Sequence, residues 1–226
     1  ENSHKDNFIH LVENLNQEKK IAVFTHSKHN TNYSVESLAK QVQHLGYRVR
    51  YYHADTDPAQ KKSDFSNVNS AYDDIDIVIY NHAHEAGVSI TDARFNIMHV
   101  FSEELGSVEA TKQAMHRFRC INEIHYSTAT KQRDRQLPKT REEIIKIIID
   151  RERFLDEKTK LHRTPNTGEI SIAYGFAYIN DIIDENNSKM YFTPRLMATM
   201  SKTGYEIVQA PADEYNIWLT KKTMKN

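Results

Sequence analysis

Five short stretches of strand character, each followed by a stretch with helical or turn character, constrain this chain most. They are Ile21–Thr25, Arg48–His53, Ile75–Tyr80, Ile97–Phe101 and Ile121–Ser127. Among the intervening stretches, Asn32–Gly46 puts Val35, Leu38, Ala39, Val42 and Leu45 on one helical face, with Gly46 as its stop. Pro58–Asn69 suits a more polar helix, and a further helix-like run begins near Val108. Ahead of them all, Asp6–Asn16 carries Phe8, Ile9, Leu11, Val12 and Leu15 in an amphipathic pattern. Ile75–Tyr80 is of the buried-strand type, and Ile97–Phe101 repeats it. Strands alternating with helices predict an α/β fold built on a doubly wound parallel sheet.

The character changes after Ala129. Lys131–Thr140 is a charged connector, and Arg141–Lys160 reads as a strong helix. Thr164–Gly168 is turn-rich, Glu169–Glu185 and Phe192–Lys202 are helical, Gly204 is a stop, and Tyr205–Val208 fits a terminal strand. A boundary near Leu137 is expected, with residues 1–137 forming the α/β unit and 138–226 a small, mainly helical C-terminal module.

Lysine and arginine total 30 against 31 acidic residues, so any nucleic-acid surface must be local. The single cysteine, Cys120, excludes a disulfide framework and fits a reducing compartment. No signal peptide or membrane-length apolar run occurs. The chain opens on ENSHKDN without Met, as expected of a piece of a longer protein.

Ligands of open parallel sheets collect beyond the carboxyl ends of the strands, and three polar segments are expected there. In THSKHNT (Thr25–Thr31), a hydroxyl and free N–H groups at a helix start suit an anion; ordinary capping by Ser34 or Asn32 accounts for the stretch equally well. In YNHAHEAGVSI (Tyr80–Ile90), Gly87 allows a tight turn, with Ser89 two residues on. His82, His84 and Glu85 match no closed zinc signature, so no metal is expected. The third segment holds Arg117 and Arg119. On a continuous helix Gln113 would leave the same face as Arg117, a pair able to grip phosphate oxygens, the alternative being a solvated basic face. No G-x-x-x-x-G-K-S/T phosphate loop and no G-x-S-x-G elbow exists in the chain.

The order of elements resembles the second RecA-like lobe of a superfamily 2 helicase. Ile21–Thr25 with THSKHNT is similar to motif IV, IDIVIYNHAHEAGVSI to motif V, and QAMHRFR to motif VI. The set, with NVNSAYDDIDIVIYN, is most like the herpesvirus origin-binding-protein type of replicative helicase, found also in primase–helicases of large DNA viruses. The resemblance covers about Ile21–Ser127. It implies that Arg117 and Arg119 reach the γ-phosphate of ATP, with Gln113 as conformational coupler, and that Gly87 and Ser89 sense nucleotide. Thr25, Ser27, Lys28, Asn81 and His82 match positions that touch the nucleic-acid backbone.

Two departures from the family pattern stand out. His116 replaces a glycine of QRxGRxGR, whose last arginine falls at Cys120, and Ser89 stands where motif V has an acid. The resemblance further implies ATP and Mg2+ held mainly by a separate first lobe, single-stranded DNA as partner, and contact with a primase or other replication proteins. It implies an intracellular setting, host cytoplasm or nucleus, without membrane attachment. A non-enzymatic nucleic-acid-binding module and a sugar-nucleotide transferase lobe are the competing possibilities.

Overall fold

The computed structural model describes residues 2–28, 31–82, 89–104, 107–128, 137–152, 172–209 and 216–222. The elements in order are α1 (Asn2–Asn16), β1 (Lys20–Thr25), α2 (Val35–His44), β2 (Val49–Tyr52), α3 (Pro58–Ser66), α4 (Val68–Ala71), β3 (Ile77–Tyr80) and β4 (Phe95–Ser102). They continue with α5 (Val108–Met115), β5 (Glu123–Thr128), α6 (Arg141–Glu152), α7 (Ile172–Met190), α8 (Phe192–Lys202), β6 (Tyr205–Gln209) and β7 (Asn216–Lys221). A seven-stranded sheet has the order β2-β3-β1-β4-β5-β7-β6. Its first five strands are parallel, β7 adds antiparallel to β5, and β6 adds antiparallel to β7.

Side-chain alternation along the strands assigns the helices to two faces. Ile21 and Val23 of β1, Ile77 and Ile79 of β3, and Ile97 and Phe101 of β4 share one core with Leu11 and Leu15 of α1 and Val35, Leu38, Ala39 and Val42 of α2. Each such fully buried aliphatic contributes about 1.5–3 kcal/mol. The other parity belongs to the second face, where the Tyr80 hydroxyl donates to the Ala114 carbonyl of α5 at 2.9 Å. On the same face Tyr52 packs on Phe65 of α3, with ring centroids 4.9 Å apart. The sheet is therefore doubly wound, as the strand–helix alternation predicts. Gly46 and Gly204 adopt φ of +92° and +98° just past α2 and α8, a conformation that lets a helix stop and reverse.

Beneath α1 the first face is polar. Asn14 Nδ2 donates to His99 Nε2 at 3.3 Å, so His99 Nδ1–H donates to Asn7 Oδ1 at 2.8 Å. Asn7 Nδ2 shares its hydrogens among the carbonyls of Val100 and His125 and the Ser127 hydroxyl. That hydroxyl donates to the Val100 carbonyl and lies 2.8 Å from His4 Nδ1, which supplies the remaining proton. The His99 and His125 rings stack at 4.6 Å.

The chain divides into two compact units, residues 1–132 with 193–226 and residues 133–192. This differs from a single boundary at Leu137. Tyr205–Gln209 pairs with β7, a strand the sequence does not announce, and β7 pairs with β5, so the tail returns to the α/β unit. Among the described residues, 133–192 hold α6 and α7. There Thr140 and Glu143 form a reciprocal capping box at the start of α6: Glu143 N–H meets Thr140 Oγ1 at 3.3 Å, and Thr140 N–H meets Glu143 Oε2 at 3.0 Å. Thr164–Gly168 lies outside the described residues.

Candidate functional site

α5 begins at Ser107, whose hydroxyl accepts from the Ala110 N–H at 3.1 Å, and ends at Met115. Arg117 and Arg119 therefore lie beyond the helix. The expected pairing of Gln113 with Arg117 on one helical face does not form: Gln113 is exposed on α5, while Arg117 has left it. The cause is Phe118. Its ring is buried, stacked on Tyr80 at 5.6 Å and against Phe95 at 5.3 Å, and the pull of that pocket takes the backbone out of helical register.

Phe118 also forms a parallel bridge with Ile90. The Ile90 N–H donates to the Arg117 carbonyl at 2.7 Å, and the Arg119 N–H donates to the Ile90 carbonyl at 2.8 Å. One residue further on, the Cys120 thiol meets the Thr91 carbonyl at 3.3 Å. Segments 89–91 and 117–120, 27 residues apart in sequence at Ile90 and Arg117, are thus knitted into one crossing. This places the arginines on the second face of the sheet, between α5 and β5, rather than beyond a strand's carboxyl end. An α-helix that starts at the carboxyl end of β4 must run back along the sheet before β5 can begin, and it carries the arginines with it.

The two residues flanking the buried Phe118 differ in exposure. Arg119 is exposed, and its Nε–H donates to Ser89 Oγ at 2.8 Å. Among the described residues its terminal nitrogens take no hydrogen bond or ion pair, the state in which a guanidinium can meet phosphate oxygens. Arg117 is half-buried near Tyr80 and His82. Burial pushes its pKa down, partly offset by the Tyr80 phenol, and an arginine remains cationic under such a shift. Gly87, with His84 and Glu85, lies outside the described residues. Among those described, no group of three or more His, Cys, Asp or Glu could hold a metal ion.

The loop after β1 resolves the choice between anion binding and capping. The Val35 and Glu36 N–H groups donate to the carbonyls of Ser27 and Lys28 at 3.0 and 3.3 Å, and the Ser37 N–H to Ser34 Oγ at 3.4 Å. The first-turn donors of α2 are therefore used, and this helix start is not an open anion site. Thr25 is buried, its hydroxyl donating to the Tyr33 carbonyl at 2.9 Å. The Lys28 ammonium is paired with Asp55. Asn81 is buried, and His82 is exposed with its ring 5.0 Å from Phe24 and 5.2 Å from His26.

His26 was not legible as a site residue, yet it links three segments. The Glu103 N–H donates to Nδ1 at 3.2 Å, so Nε2 carries the proton and donates to Thr111 Oγ1 of α5 at 3.0 Å. Burial first, then the neighbouring His82 and His4, push its pKa down to about 3, so it is neutral at physiological pH. Phe118 and Tyr80 were missed likewise; the Arg-Phe-Arg alternation was the available signal. A separate cavity of about 300 Å³ near the end of β2 is lined by Arg50, His53, Asp55, Thr56, Asp57 and Gln60, among others. It shares no lining residue with the crossing.

Residues 4–122 match the family model described as helicase conserved C-terminal domain. The chain belongs to this family. Among curated proteins it is 24% identical over 213 residues to the "Putative helicase/primase complex protein" of African swine fever virus isolate Pig/Kenya/KEN-50/1950, covering 87% of this chain and 20% of the relative. It is 23% identical over 213 residues to the protein of the same name from strain Badajoz 1971 Vero-adapted, covering 87% and 19%. The chain thus spans about a fifth of the length of these relatives. Among solved structures it is similar to the C-terminal part of the Fun30 ATPase domain, with 16% identity and a TM-score of 0.40 over 79% of this chain and 52% of that one. No described helix is long and apolar enough to cross a membrane.

Proposed function

We propose that this chain is the C-terminal motor lobe of an ATP-dependent DNA helicase acting in viral or plasmid DNA replication, of the herpesvirus origin-binding type. The observation that carries it is the crossing of residues 89–91 with 117–120, which fixes the backbone of Arg117 and Arg119 on either side of the buried Phe118. Arg117 and Arg119 would stabilise charge on the γ-phosphate of ATP, which, with Mg2+, is held mainly by a first RecA-like lobe. Fixed guanidinium groups suit this role because phosphoryl transfer needs positioning and positive charge more than covalent chemistry from the protein.

Gln113, exposed one turn earlier on α5, is the coupler between nucleotide and DNA. Gly87 and Ser89 would sense nucleotide, while Thr25, Ser27, Lys28, Asn81 and His82 would face single-stranded DNA. The buried Thr25 and Asn81 would serve by shaping that loop, and Lys28 would exchange Asp55 for a phosphate. Residues 138–226 contain the accessory, mainly helical part, and a primase or other replication proteins are the expected partners. The setting is intracellular, at sites of viral DNA replication.

The test is ATP turnover in the full-length protein with single-stranded DNA, comparing wild type, Arg117→Ala and Arg119→Ala. The proposal requires a large loss of kcat for Arg117→Ala in a protein that melts normally. The 226-residue chain alone should not turn over ATP, since it contains no phosphate loop. Robust hydrolysis by this chain would overturn the assignment.

A further inference from the structure

Resting on that assignment, we infer that Ser89 acts through Arg119: it is a positioning residue for the arginine rather than a direct ligand of nucleotide. Three observations converge. Ser89 Oγ accepts the Arg119 Nε–H at 2.8 Å, the one nitrogen of the guanidinium whose capture fixes the plane of the group while leaving both terminal nitrogens available. The backbone on either side is fixed as well, since Ile90, next to Ser89, exchanges both its N–H and its carbonyl with Arg117 and Arg119. Finally, the bridge partner Phe118 is wedged between Tyr80 and Phe95, so the 117–119 segment cannot rotate about its axis without leaving a buried pocket.

The chemistry explains why a serine suits a position where the family pattern has an acid. A carboxylate at residue 89 would form a two-pronged ion pair with Arg119 and neutralise it. A hydroxyl accepts one N–H and leaves the positive charge undiminished for phosphate. Preorganisation of this kind removes the cost of ordering a long flexible side chain when the phosphate arrives.

A double-mutant cycle in the full-length protein tests the inference. Ser89→Ala should lower kcat for ATP roughly tenfold, less than loss of the arginine itself, with KM for ATP within about twofold of wild type. Ser89→Thr, which keeps the hydroxyl, should restore kcat. In an Arg119→Ala background, Ser89→Ala should add no further loss. An independent readout uses the 226-residue chain without nucleotide: the Arg119 Nε–H should exchange slowly with water by 15N NMR, and Ser89→Ala should abolish that protection.

Additive losses in the cycle, or a rise in KM at constant kcat, would mean that Ser89 touches nucleotide directly and would overturn the inference. An unprotected Nε–H in the wild-type chain would overturn it too. If Arg117→Ala is costly but Ser89→Ala or Arg119→Ala is neutral, the inference alone fails. If both arginine variants keep full turnover, the helicase assignment fails and takes the inference with it.

Discussion

Two polar regions lie on opposite faces of the same sheet and use their hydrogen-bond donors in opposite ways. Under α1, Asn7, Asn14, His4, His99 and Ser127 satisfy one another, and what is left over is acceptor. The orphaned atoms there, His4 Nε2 and His125 Nδ1, are lone pairs, because each ring's proton is committed at its other nitrogen, to Ser127 and to Glu123. At the crossing of residues 89–91 with 117–120, the backbone is closed but the Arg119 terminal nitrogens are turned outward without a partner among the described residues. The first region spends its polarity on docking a helix; the second keeps positive charge available. Polar content by itself therefore says little about function, and the direction of the unused groups says more.

Acidification should break the first region most. A histidine whose folded pKa is depressed binds fewer protons folded than unfolded below its ordinary value of about 6.5. Its stabilising contribution is complete above that pH and is lost as pH falls towards the folded pKa. Burial holds His4 down at about 4, and burial with neighbouring imidazoles holds His26 at about 3 and His99 well below 6.5. By pH 5 the expected loss is about 2 kcal/mol from His4 within this region, and about as much again from His26, which lies outside it and bonds α5. Urea midpoints at pH 7.5 and 5 measure it, and coincident midpoints would refute the closed-network description.

Asn7→Leu should cost about 3 kcal/mol, because it strands the His99 Nδ1–H and removes the donor that serves two buried carbonyls. Its mark is a lower melting temperature with single-stranded DNA affinity intact. Arg117→Ala should do the reverse. A roughly hundredfold fall in kcat of the full-length protein, scaled from other arginine fingers, is expected with a melting temperature near wild type. A variant that loses stability while keeping turnover would assign Arg117 to the fold rather than the site. Smallest is Ser34→Ala, at about 1 kcal/mol for a lost N-cap, with no effect on kcat. A kcat change there would show that the start of α2 does more than cap.

Much of the fold was legible. The stretches from Ile21, Arg48, Ile75, Ile97 and Ile121 each became a strand: the apolar runs from Ile21, Ile75 and Ile97 form the centre of the sheet, and the more polar Arg48 stretch forms its edge. Gly46 and Gly204 stopped their helices because positive φ is cheap only without a Cβ. β7 was hidden: Asn216–Lys221 has no strong alternation of its own and becomes a strand by pairing with β5. Its role also explains why the tail rejoins the α/β unit.

For the site, local sequence located the arginines and Ser89 but not their relation. Helical spacing joined Gln113 to Arg117, and that failed because the spacing rule holds only while the helix lasts. What ended the helix was a tertiary event, the burial of Phe118 between Tyr80 and Phe95. The sequence by itself determined which charges and hydroxyls are present and that a doubly wound sheet would carry them. Tertiary structure alone decided that Ser89 meets Arg119 and that His26 stays neutral, since both depend on residues brought together by the sheet. The start of α2 shows the same limit: a polar loop before a helix is open or closed to anions according to where neighbouring carbonyls fall, and here Ser27 and Lys28 close it.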